Sequence, residues 1–168
     1  MKSVKVRLEL NHKQSSLARK HAGTARFAYN WGLAKSHEAI KNSAPRPSSV
    51  DLHKLWVAEV KSANKWTYEV SKCAPQQALR NLDEAFKRVF KVKGTHSPRF
   101  KKKGIKDKFY LEGAIRIKEN RIKLPKFGWL KCSEILPNAE VKNVVVSRQA
   151  KHWFVSFKVE HKPIETEK

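Results

Sequence analysis

The 168-residue chain carries 37 Lys and Arg against 15 Asp and Glu, a formal net charge of +22, and 40% of its residues are hydrophobic. Five Trp and eight Phe supply enough apolar material for a packed core, which excludes a wholly disordered basic tail. Charge of this size opposes compaction, so it points to a polyanionic partner, with nucleic acid ahead of a membrane surface because no apolar run approaches the length of a spanning helix.

The N-terminal stretch MKSVKVRLEL lacks a signal peptide's apolar segment. Val4, Val6, Leu8 and Leu10 alternate there with Lys5, Arg7 and Glu9, which predicts a short amphipathic strand over 2–10. Asn11 opens a helix over about 13–43, with Ala18, Ala22, Ala25, Tyr29 and Leu33 on one stripe and Phe27 and Trp31 stacked one turn apart beside it. Gly23 and Gly32 weaken that helix, so a neighbour is expected to pack closely against it. NSAPRPSS (42–49) reads as a loop, and Leu52, Leu55, Trp56 and Glu59 mark a second helix over about 50–62. Residues 64–73 fit no period. The third helix is the clearest: Pro75 stands in its first turn, followed by Ala78, Leu79, Leu82, Ala85, Phe86, Val89 and Phe90.

Residues 91–108 hold eight Lys and Arg (Lys91, Lys93, Arg99, Lys101, Lys102, Lys103, Lys106, Lys108) against Asp107 alone. Such a segment is expected to be mobile until a partner neutralises it. From about 113 the period becomes two. AIRIKENRIKLP reads as a hairpin turning at Glu119-Asn120, with Ile115, Ile117, Ile122 and Leu124 inward and Arg116, Lys118, Arg121 and Lys123 on the opposite face. GWLKC (128–132) is a further strand, 141–160 a second hairpin turning near Gln149-Ala150, and 161–168 a frayed polar tail.

A strand of nine residues cannot stand alone, so 2–10 must join the sheet built by 113–160, with the helices inserted between them. The expected class is α+β: a small oligonucleotide-binding-like β-barrel with an inserted α-helical domain. Cys73 and Cys132 form no C-x-x-C pair and read as buried free thiols of a cytoplasmic protein.

Catalytic chemistry finds no footing. Asp51, Asp83 and Asp107 fall in helical or loop contexts rather than at apolar strand ends, and Asp83-Glu84 beside Lys87 and Arg88 reads as a solvated, ion-paired helix face. The seven histidines are scattered, and no phosphate-cradling glycine motif or nucleophile elbow occurs. No catalytic residue, metal ligand or cofactor is therefore assigned. Binding is better supported. Lys72, Gln76 and Arg80 line the start of the third helix, where Gln can pair with adenine and Arg or Lys with guanine in a major groove. Arg99, Lys101, Lys102, Lys103, Lys106 and Lys108 of the basic segment, with Arg116, Lys118, Arg121 and Lys123 of the hairpin, are the candidate phosphate contacts. Phe100, Phe109 and Tyr110 either stack on bases or anchor the segment to the core.

Five stretches, in order, resemble the N-terminal half of the TnpB (OrfB) family of transposon-encoded RNA-guided DNA nucleases, relatives of compact type V CRISPR effectors. They are 5–34 (with ARFAYNW), 73–90 (Q-x-A-L-x-N-L-x-x-A-F), 97–104 (PRFKKK), 115–131 (RIKLPKFGW) and 144–160. The resemblance implies a wedge barrel (1–10 and 110–160), a helical, helix-turn-helix-like recognition domain (11–95) and a basic linker (91–109). It further implies that these parts grip a guide RNA and read a short transposon-adjacent motif in duplex DNA, with Lys72 and Gln76 at motif-contacting positions. The family's RuvC-like nuclease segment and zinc ribbon follow this half and have no counterpart before Lys168. The expected function is thus a binding lobe without nuclease activity, nucleoid-associated in the cytoplasm. One alternative is a chain of a split nuclease that docks a separate RuvC-like polypeptide. Another is a stand-alone DNA-binding regulator.

Overall fold

The computed structural model describes residues 1–160. The expected tail at 161–168 lies outside them. Strand β1 (Lys2–Glu9) leads into α1 (His12–Lys41), and Asn11 starts that helix through a reciprocal capping box. The Gln14 amide N–H donates to Asn11 Oδ1 at 2.8 Å, and the Asn11 N–H donates to Gln14 Oε1 at 3.0 Å. Ser48 and Asp51 repeat the device at α2 (Ser49–Leu55), which continues as a π-helical segment (Trp56–Lys61). A 3₁₀ turn (Lys65–Glu69) occupies the stretch without sequence periodicity, and α3 (Cys73–Lys91) follows.

Six strands complete the chain: β2 (Lys108–Glu112), β3 (Arg116–Lys118), β4 (Arg121–Leu124), β5 (Gly128–Cys132), β6 (Asn143–Gln149) and β7 (His152–Val159). The sheet is antiparallel throughout its pairings, in the order β2-β6-β7-β1-β5-β4-β3. Strand 2–10 therefore joins the C-terminal strands, as its length required. Closure does not follow. β2 and β3 are edges with no ladder between them among the described residues, so the hydrogen-bonded barrel is replaced by an open seven-stranded sheet. β2 itself was not foreseen: Phe109 and Leu111 are buried and alternate with exposed Lys108 and Glu112, and the strand begins inside what read as basic linker.

One continuous core runs from helices to sheet, joining Leu33, Leu52, Leu79 and Leu82 to Leu111, Ile122, Val144 and Val155. α3 meets α1 at Gly32, where an added Cβ would lie 2.8 Å from Leu79 Cδ2 and 3.0 Å from Leu82 Cδ2. The close approach expected at that glycine is thus present. At Gly23 it is not, the nearest atom to an added Cβ being Arg26 Nη2 at 3.5 Å. Gly32→Ala gains about 1 kcal/mol of helix propensity but overpacks fully buried leucines at about 1–3 kcal/mol. A net loss of about 1 kcal/mol in urea unfolding is expected, and a raised midpoint would show that the leucines yield freely.

Phe27 and Trp31 do not stack on each other. Both meet Trp56 edge-on, at 5.8 and 5.6 Å between ring centroids. Asp83 is also placed differently from its expected solvated face. It is buried, accepting from Arg46 at 2.8 Å and pairing with Lys87 at 3.2 Å, while Glu84 stays exposed. Burial opposes its charge, yet the hydrogen bonds from Arg46 and Lys87 hold its carboxyl below the usual range. Both cysteines are free and buried, and burial pushes the Cys132 thiol up to about 11.

Candidate nucleic-acid interface

Lys72 and Arg80 are exposed at the start of α3, with Gln76 half-buried between them, each one turn from the next. The structure adds His53 of α2 to this face. Burial, then the nearby Lys61, Arg80 and Lys72, lower the His53 pKa, so four cationic or titratable groups converge there. No periodicity argument reaches His53 or Lys61, because they arrive from a separate helix and its π-helical continuation.

Lys72 also lines a cleft of about 700 Å³ between the start of α3 and the β4–β5 turn, with Lys61, Tyr68, Lys123 and Lys126 on its walls. Lys126 Nζ donates to the Tyr68 carbonyl at 3.3 Å, and Lys61 Nζ lies 4.9 Å from the centre of the Tyr68 ring. A helix-start cation and a hairpin cation, 51 positions apart (123 − 72), thus face one space. Glu112 is the acidic lining residue, and its carboxylate accepts from Tyr110 Oη at 3.0 Å.

The hairpin cations are held in register. Arg116 stands opposite Lys123 and Lys118 opposite Arg121, and Arg121 in turn faces Lys131 on β5. Ile122 is buried on the other face, so the alternation that buries it forces all four predicted cations outward. Like charges directly opposite one another are destabilising in an isolated sheet. Trp129, 40% exposed and opposite Lys123, adds an aromatic surface to this face.

The second half of the basic segment, expected to be mobile until neutralised, makes specific contacts with α1 from Lys101 onward. Asn30 of α1 grips one residue at both ends of its backbone: the Lys101 N–H donates to Asn30 Oδ1 at 2.8 Å, and Asn30 Nδ2 donates to the Lys101 carbonyl at 3.0 Å. Lys101 Nζ lies 4.3 Å from the Tyr29 ring centre, and Arg26 pairs with Asp107 at 3.1 Å. One side-chain amide and one half-buried ion pair supply contacts that composition could not reveal. Phe109 anchors the segment in the core, whereas Phe100 is 54% exposed and meets His37 edge-on at 5.8 Å. Arg99, Lys102 and Lys103 are exposed on the segment, and Lys101, Lys106 and Lys108 gather at a second cavity between α1, α3 and β2.

All three aspartates have structural roles. Asp51 caps α2, Asp83 pairs with Arg46 and Lys87, and Asp107 pairs with Arg26. Among the described residues no helix is long and apolar enough to cross a membrane.

Residues 1–44 match the family profile of a helix-turn-helix domain of the OrfB/IS605 type. In this chain they comprise β1 and the unbroken α1, and the turn comes only after Lys41. The match extends further: the chain is 33% identical over 168 aligned residues, 95% of its length, to InsQ of Escherichia coli strain K12, named as a candidate RNA-guided DNA endonuclease. The OrfB-type match and the likeness to InsQ agree with the resemblance that the motifs carried. It spans 40% of the length of that relative.

Proposed function

We propose that the chain is the nucleic-acid-binding lobe of a TnpB-like RNA-guided DNA-targeting protein. On this reading it grips a guide RNA and reads a short transposon-adjacent duplex motif with Lys72, Gln76 and Arg80, and strand scission belongs to residues other than these. The observation that carries the reading is the shared cleft of Lys72 and Lys123, lined also by Lys61 and Lys126, which joins the motif-reading helix start to the hairpin's phosphate-binding face. The OrfB-type match and the likeness to InsQ support the same assignment. The sheet, although open, supplies the basic and aromatic outer face of a wedge domain through Arg116, Lys118, Arg121, Lys123 and Trp129.

Selection from a duplex library with a randomised segment, in the presence of a structured guide RNA, tests this. Gln76→Ala and Lys72→Ala are expected to weaken motif discrimination by about 1–3 kcal/mol per base-edge contact. Lys118→Ala is expected to weaken all sequences alike. Unaltered motif preference in Gln76→Ala removes that residue from the reading head. Equal duplex selection with and without RNA would favour the stand-alone regulator, and cleavage that appears only with a second polypeptide would favour the split nuclease.

A further inference from the structure

The second cavity, of about 270 Å³, is lined by the small residues Ala22, Ala25, Ala74 and Ala78 and by Phe109 and Tyr110 of β2. Gln77 and Asn81, one turn apart on α3, enter it from the side, with Gln77 Nε2 donating to Asn81 Oδ1 at 3.0 Å. That bond leaves the Gln77 carbonyl oxygen and the Asn81 amide hydrogens free to meet a planar polar edge. Lys101, Lys106 and Lys108 line the same space. Asp107, the acid among these lysines, is already engaged by Arg26. Among the described residues neither Lys106 nor Lys108 forms an ion pair.

Two further observations mark the place as built rather than incidental. Lys106 holds a left-handed backbone, φ 54°, an uncommon state for a residue with a side chain and one that concentrates at ligand clamps. Partial burial, together with the ammonium groups of Lys108 and Lys106, lowers the Lys101 pKa, so the lysines repel one another at the cavity until an anion arrives. The Asn30 clamp on Lys101 holds the segment in that arrangement beforehand.

A duplex is far too wide for this space, which lies just below the roughly 300–1,000 Å³ of small-molecule sites. A single nucleotide satisfies each feature. Its phosphate answers the lysines, its flat base suits a lining of small apolar side chains with Tyr110 among them, and Gln and Asn amides are the side chains that pair with base edges. We propose that the cavity between α1, α3 and the 101–110 segment receives one unpaired nucleotide, its phosphate held by Lys101, Lys106 and Lys108 and its base edge by Gln77 and Asn81. This deepens the nucleic-acid reading and rests on it. It adds a single-nucleotide pocket separate from the Lys72 cleft.

The test titrates the full chain with nucleoside 5′-monophosphates and with inorganic phosphate, following the Gln77 and Asn81 side-chain amides by NMR. Monophosphates are expected to shift both amides and to bind at least ~10-fold more tightly than phosphate. The double variant Gln77→Ala/Asn81→Ala should abolish that difference, whereas Lys106→Ala should weaken both probes together. Ribose and deoxyribose forms run side by side show whether the pocket serves RNA or DNA. Monophosphate binding no tighter than phosphate, or amides that do not move, overturns the proposal. Duplex selection by Lys72 and Gln76 would survive that outcome, so failure here is distinguishable from failure of the proposed function.

Discussion

Lowering the pH from 7 to 4 is expected to remove about 3 kcal/mol of folding stability through His21 alone. The ring is fully buried on α1, between Phe109 at 4.9 Å and Phe127 at 4.8 Å. Its Nε2 accepts the Ser71 amide N–H at 3.0 Å, which requires a lone pair there. Its Nδ1 then carries the proton and donates to the Leu17 carbonyl at 2.8 Å. The neutral tautomer thus ties α1 to the turn that leads into α3 and to Phe109 and Phe127 of the sheet side. Burial drives the folded-state pKa from 6.5 to about 4, against the raising effect of the Leu17 bond and with a small push from Lys126. Between those values the unfolded chain binds a proton that the folded chain refuses. The stability is therefore complete above about pH 6.5, falls as the pH drops toward 4, and stays flat below.

His21→Phe isolates the effect. It leaves the Ser71 N–H without an acceptor, at about 1–3 kcal/mol, and enlarges a packed ring, at about 1–3 kcal/mol. The variant is expected to be less stable by about 2–6 kcal/mol at pH 7, with the gap smaller by about 3 kcal/mol at pH 4. Urea unfolding of both proteins at pH 7, 5 and 4 measures the difference, and the background repulsion of the other cations cancels between them. A gap that does not change with pH would remove His21 as the titrating group.

His21 also shows why parts of this chain were legible and parts were not. It sits between Ala18 and Ala22 on the stripe that predicted α1, yet no spacing rule tells a buried, bonded histidine from a scattered one. α3 and the β3–β4 hairpin were readable because apolar period and burial coincide there: Ala78, Leu79, Leu82 and Phe86 are buried, as are Ile122 and Leu124. β2 was hidden because its alternation spans only Lys108–Glu112 and begins inside a run of cations. Barrel closure depends on pairing between β2 and β3, strands of five and three residues whose sequences say nothing about each other. Among the site residues, cations already grouped along the chain could be found. Those gathered by tertiary folding could not: Lys61 and Lys126 in the cleft, and Gln77 and Asn81 in the cavity.

The hairpin supports the second large effect, in which stability and affinity move in opposite directions. Replacing Arg116, Lys118, Arg121 and Lys123 together by Gln removes three directly opposed like-charge pairs, Arg116–Lys123, Lys118–Arg121 and Arg121–Lys131. Each such pair is unfavourable on the order of 0.2–1 kcal/mol, so the variant should unfold at slightly higher urea in low salt. If the four side chains meet phosphates, each contact contributes roughly 0.7–0.9 to the slope of log affinity against log salt. The slope should therefore shrink by about 3, and affinity for a structured RNA at 50 mM salt should fall by roughly 10³-fold. Charges kept only for solubility would leave the slope untouched. Charges kept for stability would lower the unfolding midpoint when removed. A shallower slope together with an unchanged or raised midpoint is the outcome that assigns this face to a polyanion, because only a bound partner offsets the repulsion that its register imposes.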